Sequence, residues 1–133
     1  MSAHFKAALV QLRSGRDVAR NVAAASDLIR EAAGQGAGYI QTPENTTLME
    51  LEKPRLMALL QPEQDNPALQ SFSTLARDLK RWLHIGSMAV KVSETKLANR
   101  AYLISPQGAV TARYDKIHMF DVDLPSGESY RES

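Results

Sequence analysis

Two short segments hold the residue types that acid–base chemistry needs. Pro43-Glu44-Asn45 closes one β-prone run, and Tyr114-Asp115-Lys116-Ile117-His118 closes another. A carboxylate and an ammonium at the ends of neighbouring strands can share one site. The first would accept a proton and the second would meet a developing oxyanion. Glu132 is a second carboxylate, one residue before Ser133. The set lacks a nucleophile. There is no cysteine among the 133 residues, and Ser87, in Gly86-Ser87-Met88, does not sit in a Gly-x-Ser-x-Gly turn. No Gly-rich phosphate loop is present. His4, His84 and His118 fall at no metal-ligand spacing, so neither a metal nor another cofactor is expected. Taken singly, Glu44 also reads as a first-turn helix carboxylate, Lys116 as a solvated loop lysine and Glu132 as a solvated chain end.

The length fits one domain. A formal net charge of +1 gives no electrostatic case for nucleic acid or an anionic membrane. No apolar run approaches the roughly 20 residues a membrane helix needs. The first residues lead almost directly into a strand pattern, so no secretory leader is expected. Without cysteines there is no disulfide framework, and the expected setting is cytoplasmic.

The elements that must hold Glu44 and Lys116 follow from periodicity. Residues 5–12 read as a buried strand. Ser14, with Asp17 three later, resembles a capping box for a helix whose stripe is Val18, Val22, Ala25, Ile29 and Ala32. Gly34 and Gly36 end it. Residues 38–42 are a second strand, stopped by Pro43. This β-α-β unit implies parallel strands with a right-handed crossover, and functional groups gather beyond the carboxyl ends of such strands. A short helix is expected near 54–60. Asn66 then caps a second long helix with Pro67 at its first position. Leu69, Phe72, Leu75, Ala76, Leu79 and Leu83 form its stripe, with Trp82 near that face. Residues 85–92, 97–105 and 109–114 read as an antiparallel meander, with a turn at Pro106-Gln107-Gly108. Residues 115–133 read as an irregular loop.

These pieces, in this order, resemble a known family. Ala8-Leu9-Val10-Gln11, Asn21, the run Gly36-Ala37-Gly38-Tyr39-Ile40-Gln41-Thr42-Pro43-Glu44-Asn45, Ile85-Gly86-Ser87, Leu97-Ala98-Asn99-Arg100-Ala101-Tyr102, Pro106-Gln107-Gly108 and Tyr114-Asp115-Lys116-Ile117-His118-Met119-Phe120-Asp121 are similar to the N-terminal half of a carbon–nitrogen hydrolase of the nitrilase superfamily. The continuation Val122-Asp123-Leu124-Pro125 and the final Glu132-Ser133 resemble the branch that includes omega-amidase and deaminated-glutathione amidase.

The resemblance implies an α/β fold, the N-terminal half of a four-layer α-β-β-α sandwich, incomplete over residues 1–133. Such a half leaves an open sheet edge and an uncovered sheet face. The resemblance also implies catalytic roles. Glu44 would be the general base, Lys116 would stabilise the tetrahedral intermediate, and Glu132 would position substrate and hold Lys116 or its neighbours. The family's cysteine would attack an amide carbon, release ammonia and leave a thioester for water to hydrolyse. That cysteine lies downstream of the Glu132 segment, so residues 1–133 are expected to stop before the nucleophile and to be inactive by themselves. The implied partners are a small carboxylic monoamide as substrate and, at full length, further copies in a homo-oligomer. Two alternatives stay open: a non-catalytic half-fold serving as an interaction module or pseudoenzyme, and another branch such as a nitrilase or an N-carbamoyl amino-acid hydrolase.

Overall fold

The expected β-α-β opening forms as β1 (Ala7–Leu9), α1 (Val18–Gly34) and β2 (Tyr39–Gln41). The computed structural model describes residues 3–118 and 121–132, so Met119 and Phe120 of the Lys116 motif lie outside it, as does Ser133. β1 and β2 pair in parallel, Ala7 opposite Tyr39. The cap of α1 differs from expectation. Asp17, not Ser14, is the capping residue, and its carboxylate accepts the Arg20 N–H at 3.0 Å. A cap must directly precede the first helical residue, and Ser14 lies too far upstream. Its hydroxyl donates instead to the Thr46 carbonyl at 2.8 Å.

α2 (Lys53–Leu59) and a single 3-10 turn at Glu63–Asp65 lead into α3 (Pro67–Leu79). As expected, Asn66 caps α3, accepting the Leu69 N–H at 3.1 Å, with Pro67 in the first turn. α3 stops earlier than its stripe implies. Lys80 turns left-handed at φ 57°, which ends the helix without a glycine. Trp82 and Leu83 therefore belong to β3 (Trp82–Lys91). The spacing of Leu79 and Leu83 fits a helix only by coincidence.

β3 is followed by β4 (Leu97–Ile104) and β5 (Val110–Asp115), the predicted meander. Gly108, at φ 83°, makes the turn between the last two. The sheet order is β1-β2-β3-β4-β5, parallel up to β3 and antiparallel after it. Residues after 115 are not all irregular. β6 (Asp121–Asp123) and β7 (Ser129–Arg131) pair as a hairpin, closed through Gly127 at φ 91°. Strands of this length are too short to show a period of two in sequence.

The core lies on one side of the sheet. Ile40, Leu83, Ile85, Tyr102 and Ile104 meet Ala25 and Ile29 of α1 and Phe72 and Leu75 of α3 in one cluster. Burial of each large aliphatic or aromatic side chain there contributes about 1.5–3 kcal/mol. Strand alternation sends Gln41, His84, Leu103 and Ala112 to the other side, which none of the described helices covers. Leu9 on that side is 79% exposed and Tyr114 59%. The strand expected to be buried at residues 5–12 is thus a half-bare edge strand. Only Ala8, Val10 and Leu12 pack partly against the core. One helical layer on one sheet layer is half of the expected sandwich. Among the described residues no helix is long and apolar enough to cross a membrane.

Candidate functional site

The three residues singled out in sequence meet at one point. The Lys116 ammonium donates to Glu44 Oε1 at 2.7 Å and to Glu132 Oε2 at 2.9 Å. They arrive from the end of β2, the end of β5 and the residue after β7.

Glu44 stands on a turn that is latched to β3. The β3–β4 register slips between Ile85 and Met88, leaving a bulge at Gly86 and Ser87. The Gly86 backbone presses on the turn so closely that a Cβ there would lie 2.3 Å from the Thr42 carbonyl oxygen. Ser87 then grips the turn. Its hydroxyl accepts the Asn45 N–H at 3.0 Å and its carbonyl accepts the Thr46 N–H at 2.9 Å. Asn45 takes φ 55°, a region that asparagine tolerates better than most residues. Thr46 donates its hydroxyl to the Pro43 carbonyl at 2.6 Å. From α1, Asn21 reaches the loop beyond, donating to the carbonyls of Gly15 and Thr47, both at 2.8 Å.

Lys116 is held by its strand. Its N–H donates to the Asn99 carbonyl at 2.9 Å, which extends the β4–β5 ladder. On the opposite face the guanidinium of Arg100 takes both oxygens of Asp115, at 2.5 and 3.0 Å. The Arg100 hydrogen bonds hold Asp115 below the usual carboxylate range. Alternation therefore anchors one residue of the Asp115-Lys116 pair and aims the other into the site. The hydrogen bond to Glu44, then that to Glu132, pushes the Lys116 pKa up from its ordinary value. Glu132 comes from the hairpin, where its own N–H donates to Asp121 Oδ1 at 2.8 Å.

The sequence reading gave Asn99 no role, yet it completes the cluster. It is 7% exposed. Its Nδ2 donates to Glu44 Oε1 at 3.2 Å and to Glu132 Oε1 at 3.4 Å. Two carboxylate acceptors fix the orientation of the amide. Its Oδ1 is buried and has no hydrogen-bond partner among the described residues. An asparagine inside a strand, where the type is depleted, was the available signal. His118 is exposed and takes no part in the contacts among these four residues. A cavity of about 440 Å³ between the first turns of α1 and α3 includes none of the four. Among the described residues no cluster of three or more histidine, cysteine, aspartate or glutamate side chains is placed to hold a metal ion.

An ammonium between two carboxylates can steady a developing negative charge. Glu44 Oε1 takes both donors, and no hydrogen bond occupies Oε2 among the described residues. One carboxylate oxygen is thus left to take a proton.

Comparison with known proteins gives the family of the chain. The family model described as carbon-nitrogen hydrolase matches residues 6–133. A hydrolase of Schizosaccharomyces pombe is 35% identical over 97% of this chain and 40% of its own length. The deaminated glutathione amidase of Yersinia enterocolitica is 34% identical over 95% of this chain and 44% of its own. The omega-amidase of Homo sapiens is 33% identical over 97% and 46%. The chain thus spans less than half the length of these curated relatives. Among solved structures, the NitFhit protein of C. elegans superposes with a TM-score of 0.81 at 26% identity, over 94% of this chain and 31% of that one. A mutant of the amidase from Nesterenkonia sp. AN1, with acrylamide added at its active-site cysteine, shares the fold with a TM-score of 0.77 at 23% identity, over 96% of this chain and 49% of that one. The chain belongs to the carbon–nitrogen hydrolase family and has the N-terminal half of the nitrilase-type fold.

Proposed function

We propose that residues 1–133 supply the acid–base and electrostatic half of an amidase site, within a protein that releases ammonia from a small carboxylic monoamide. The observation that carries this reading is the Lys116 ammonium held between Glu44 and Glu132 at 2.7 and 2.9 Å. The nucleophile is a cysteine in the continuation of the chain. Glu44 takes the thiol proton as sulfur attacks the amide carbon. Lys116 stabilises the oxyanion that forms. The proton passes from Glu44 to the leaving nitrogen, the carbon–nitrogen bond breaks and ammonia departs. Water, deprotonated by Glu44, then cleaves the thioester and frees the acid and the thiol. Glu132 positions Lys116 and the substrate.

The names of two curated relatives, a deaminated glutathione amidase and an omega-amidase, support a small amide as substrate. The uncovered face of the sheet receives the second half of the sandwich, and the complete protein is a homo-oligomer in the cytoplasm. The 133 residues alone carry no thiol and are inactive on this reading.

Ammonia release from succinamate by the complete protein tests the proposal. Turnover is expected with the continuation present and abolished by Lys116→Ala. Turnover by the 133 residues alone, above a Glu44→Ala control, would refute the cysteine mechanism. A second reading, a non-catalytic interaction module, is favoured by the same lack of a thiol. A reading frame with no cysteine after a short apolar strand beyond Ser133 would select it.

A further inference from the structure

We propose that Asn99 is a positioning residue that selects which oxygen of Glu44 accepts the proton. Resting on the amidase reading, this assigns a task to a residue in mid-strand. Four side chains form a closed ring. Lys116 joins Glu44 to Glu132 on one side, at 2.7 and 2.9 Å. Asn99 joins the same two carboxylates on the other, at 3.2 and 3.4 Å. Two carboxylates and one ammonium leave a net negative charge, and like charges this close repel. A neutral donor bonded to both reduces that strain without adding charge. Only Asn and Gln offer a neutral side-chain NH₂ with two donors.

The ring is asymmetric. On Glu132 the two donors take different oxygens, Asn99 on Oε1 and Lys116 on Oε2. That carboxylate is engaged on both sides, as befits a holding role. On Glu44 both donors take Oε1. Rotation of the Glu44 carboxylate would break two hydrogen bonds at once. Oε2 therefore stays turned away from Lys116 and Asn99, as the atom for proton transfer. The Asn99 backbone fixes the geometry further, because its carbonyl accepts the Lys116 N–H at 2.9 Å. One residue thus places the lysine through its main chain and both carboxylates through its side chain.

Asn99→Ala and Asn99→Asp in the complete protein test this. The aspartate keeps the shape, removes the donor and adds a third carboxylate. Both variants are expected to lose about 10- to 150-fold in kcat, the worth of a hydrogen bond to a charged group, with KM changed less than about threefold. The second readout needs no substrate. The charged groups facing Lys116 are Glu44, from the turn after β2, and Glu132, from the end of the hairpin. NMR titration of the Lys116 side chain should move down in Asn99→Ala, as the carboxylates loosen, and up in Asn99→Asp, as another is added. A merely structural asparagine would not move the lysine in opposite directions. Kinetics within threefold of wild type in a folded Asn99→Asp protein would overturn the proposal, and so would a Lys116 titration unchanged in both variants. A complete protein without amidase activity whose lysine titration still moves both ways would sink the amidase reading and keep the Asn99 ring.

Discussion

The turn carrying Glu44 and the hairpin carrying Glu132 hold the same lysine at nearly the same distance, yet they are built differently. The Glu44 turn is buried around its base. Thr42, Thr46 and Thr47 are 1%, 0% and 4% exposed, and their polar groups are tied to β3 and to the first turn of α1. The hairpin is exposed along most of its length. Its hydrogen bonds include internal ones, from Arg131 to Asp123 at 2.7 Å, from Ser129 to Asp123 and from the Leu124 N–H to the Glu128 carbonyl at 2.8 Å. Buried polar groups that are fully paired define one geometry, because any shift leaves one of them unpaired. Exposed pairs can be exchanged for water at little cost. On the proposed reading, the difference suits Glu44 to the demanding position and Glu132 to the adjustable one.

The largest test of that contrast is kinetic. In the complete protein, Glu44→Gln keeps the shape and removes the base, and turnover is expected to fall about 100- to 10,000-fold. Glu132→Gln keeps an acceptor for Lys116 and should cost about tenfold or less, the net worth of roughly one hydrogen bond. Steady-state kinetics on both, with folding checked by circular dichroism, reads the ratio. Equal losses would show that the two carboxylates share one role.

A second test breaks the turn and spares the hairpin. Gly86→Ala places a methyl 2.3 Å from the Thr42 carbonyl and 2.6 Å from the Pro43 carbonyl carbon. Both obstacles are backbone, so the turn itself must move. The expected loss is about 1–3 kcal/mol of stability in urea unfolding, with turnover falling along with it. Gly127→Ala meets nothing within 4 Å but keeps φ 91°, so its strain stays local to the hairpin. A Gly86→Ala protein of unchanged stability and turnover would remove the latch from this account.

The contrast also explains what could be read in advance. The places of Glu44 and Lys116 just beyond strands were legible because those strand ends carry strong local signals, Pro43 after one and a change of pattern after the other. Asn66-Pro67 gave the start of α3 for the same reason. The supports were harder to see. The Ser87 latch depends on a bulge, and a bulge is a relation between two strands. Asn99 belongs to the site because β4 lies beside β5 in one register, which no local pattern encodes. The true start of β3 was hidden by Lys80, a non-glycine residue in a left-handed turn. The lengths of β6 and β7 hid the hairpin. Local chemistry marked the strand ends that carry Glu44 and Lys116, while the groups that hold them are set by pairing across the sheet.

The smallest effect concerns the lysine itself. Its pKa is raised by the hydrogen bond to Glu44 first and by that to Glu132 second. A group whose folded pKa lies above its unfolded value binds its proton more tightly in the folded state. Its contribution to stability is complete below the ordinary lysine range and is lost as pH rises through the displaced value. The basic limb of the turnover profile, where Lys116 gives up its charge, should therefore sit above the ordinary lysine range in the complete protein. The lysine side chain is 29% exposed, so solvent screens the pair and added salt should draw the limb back down. Glu132→Gln keeps the base, so its profile can be followed, and it should lower the limb only in part, because the stronger partner remains. The effect of Glu44→Gln is read by NMR titration of Lys116, since little turnover survives, and it should be the larger of the two. If Glu132→Gln lowered the Lys116 titration more than Glu44→Gln, the hairpin carboxylate would be the dominant partner, and the roles assigned to the buried turn and the exposed hairpin would have to be exchanged.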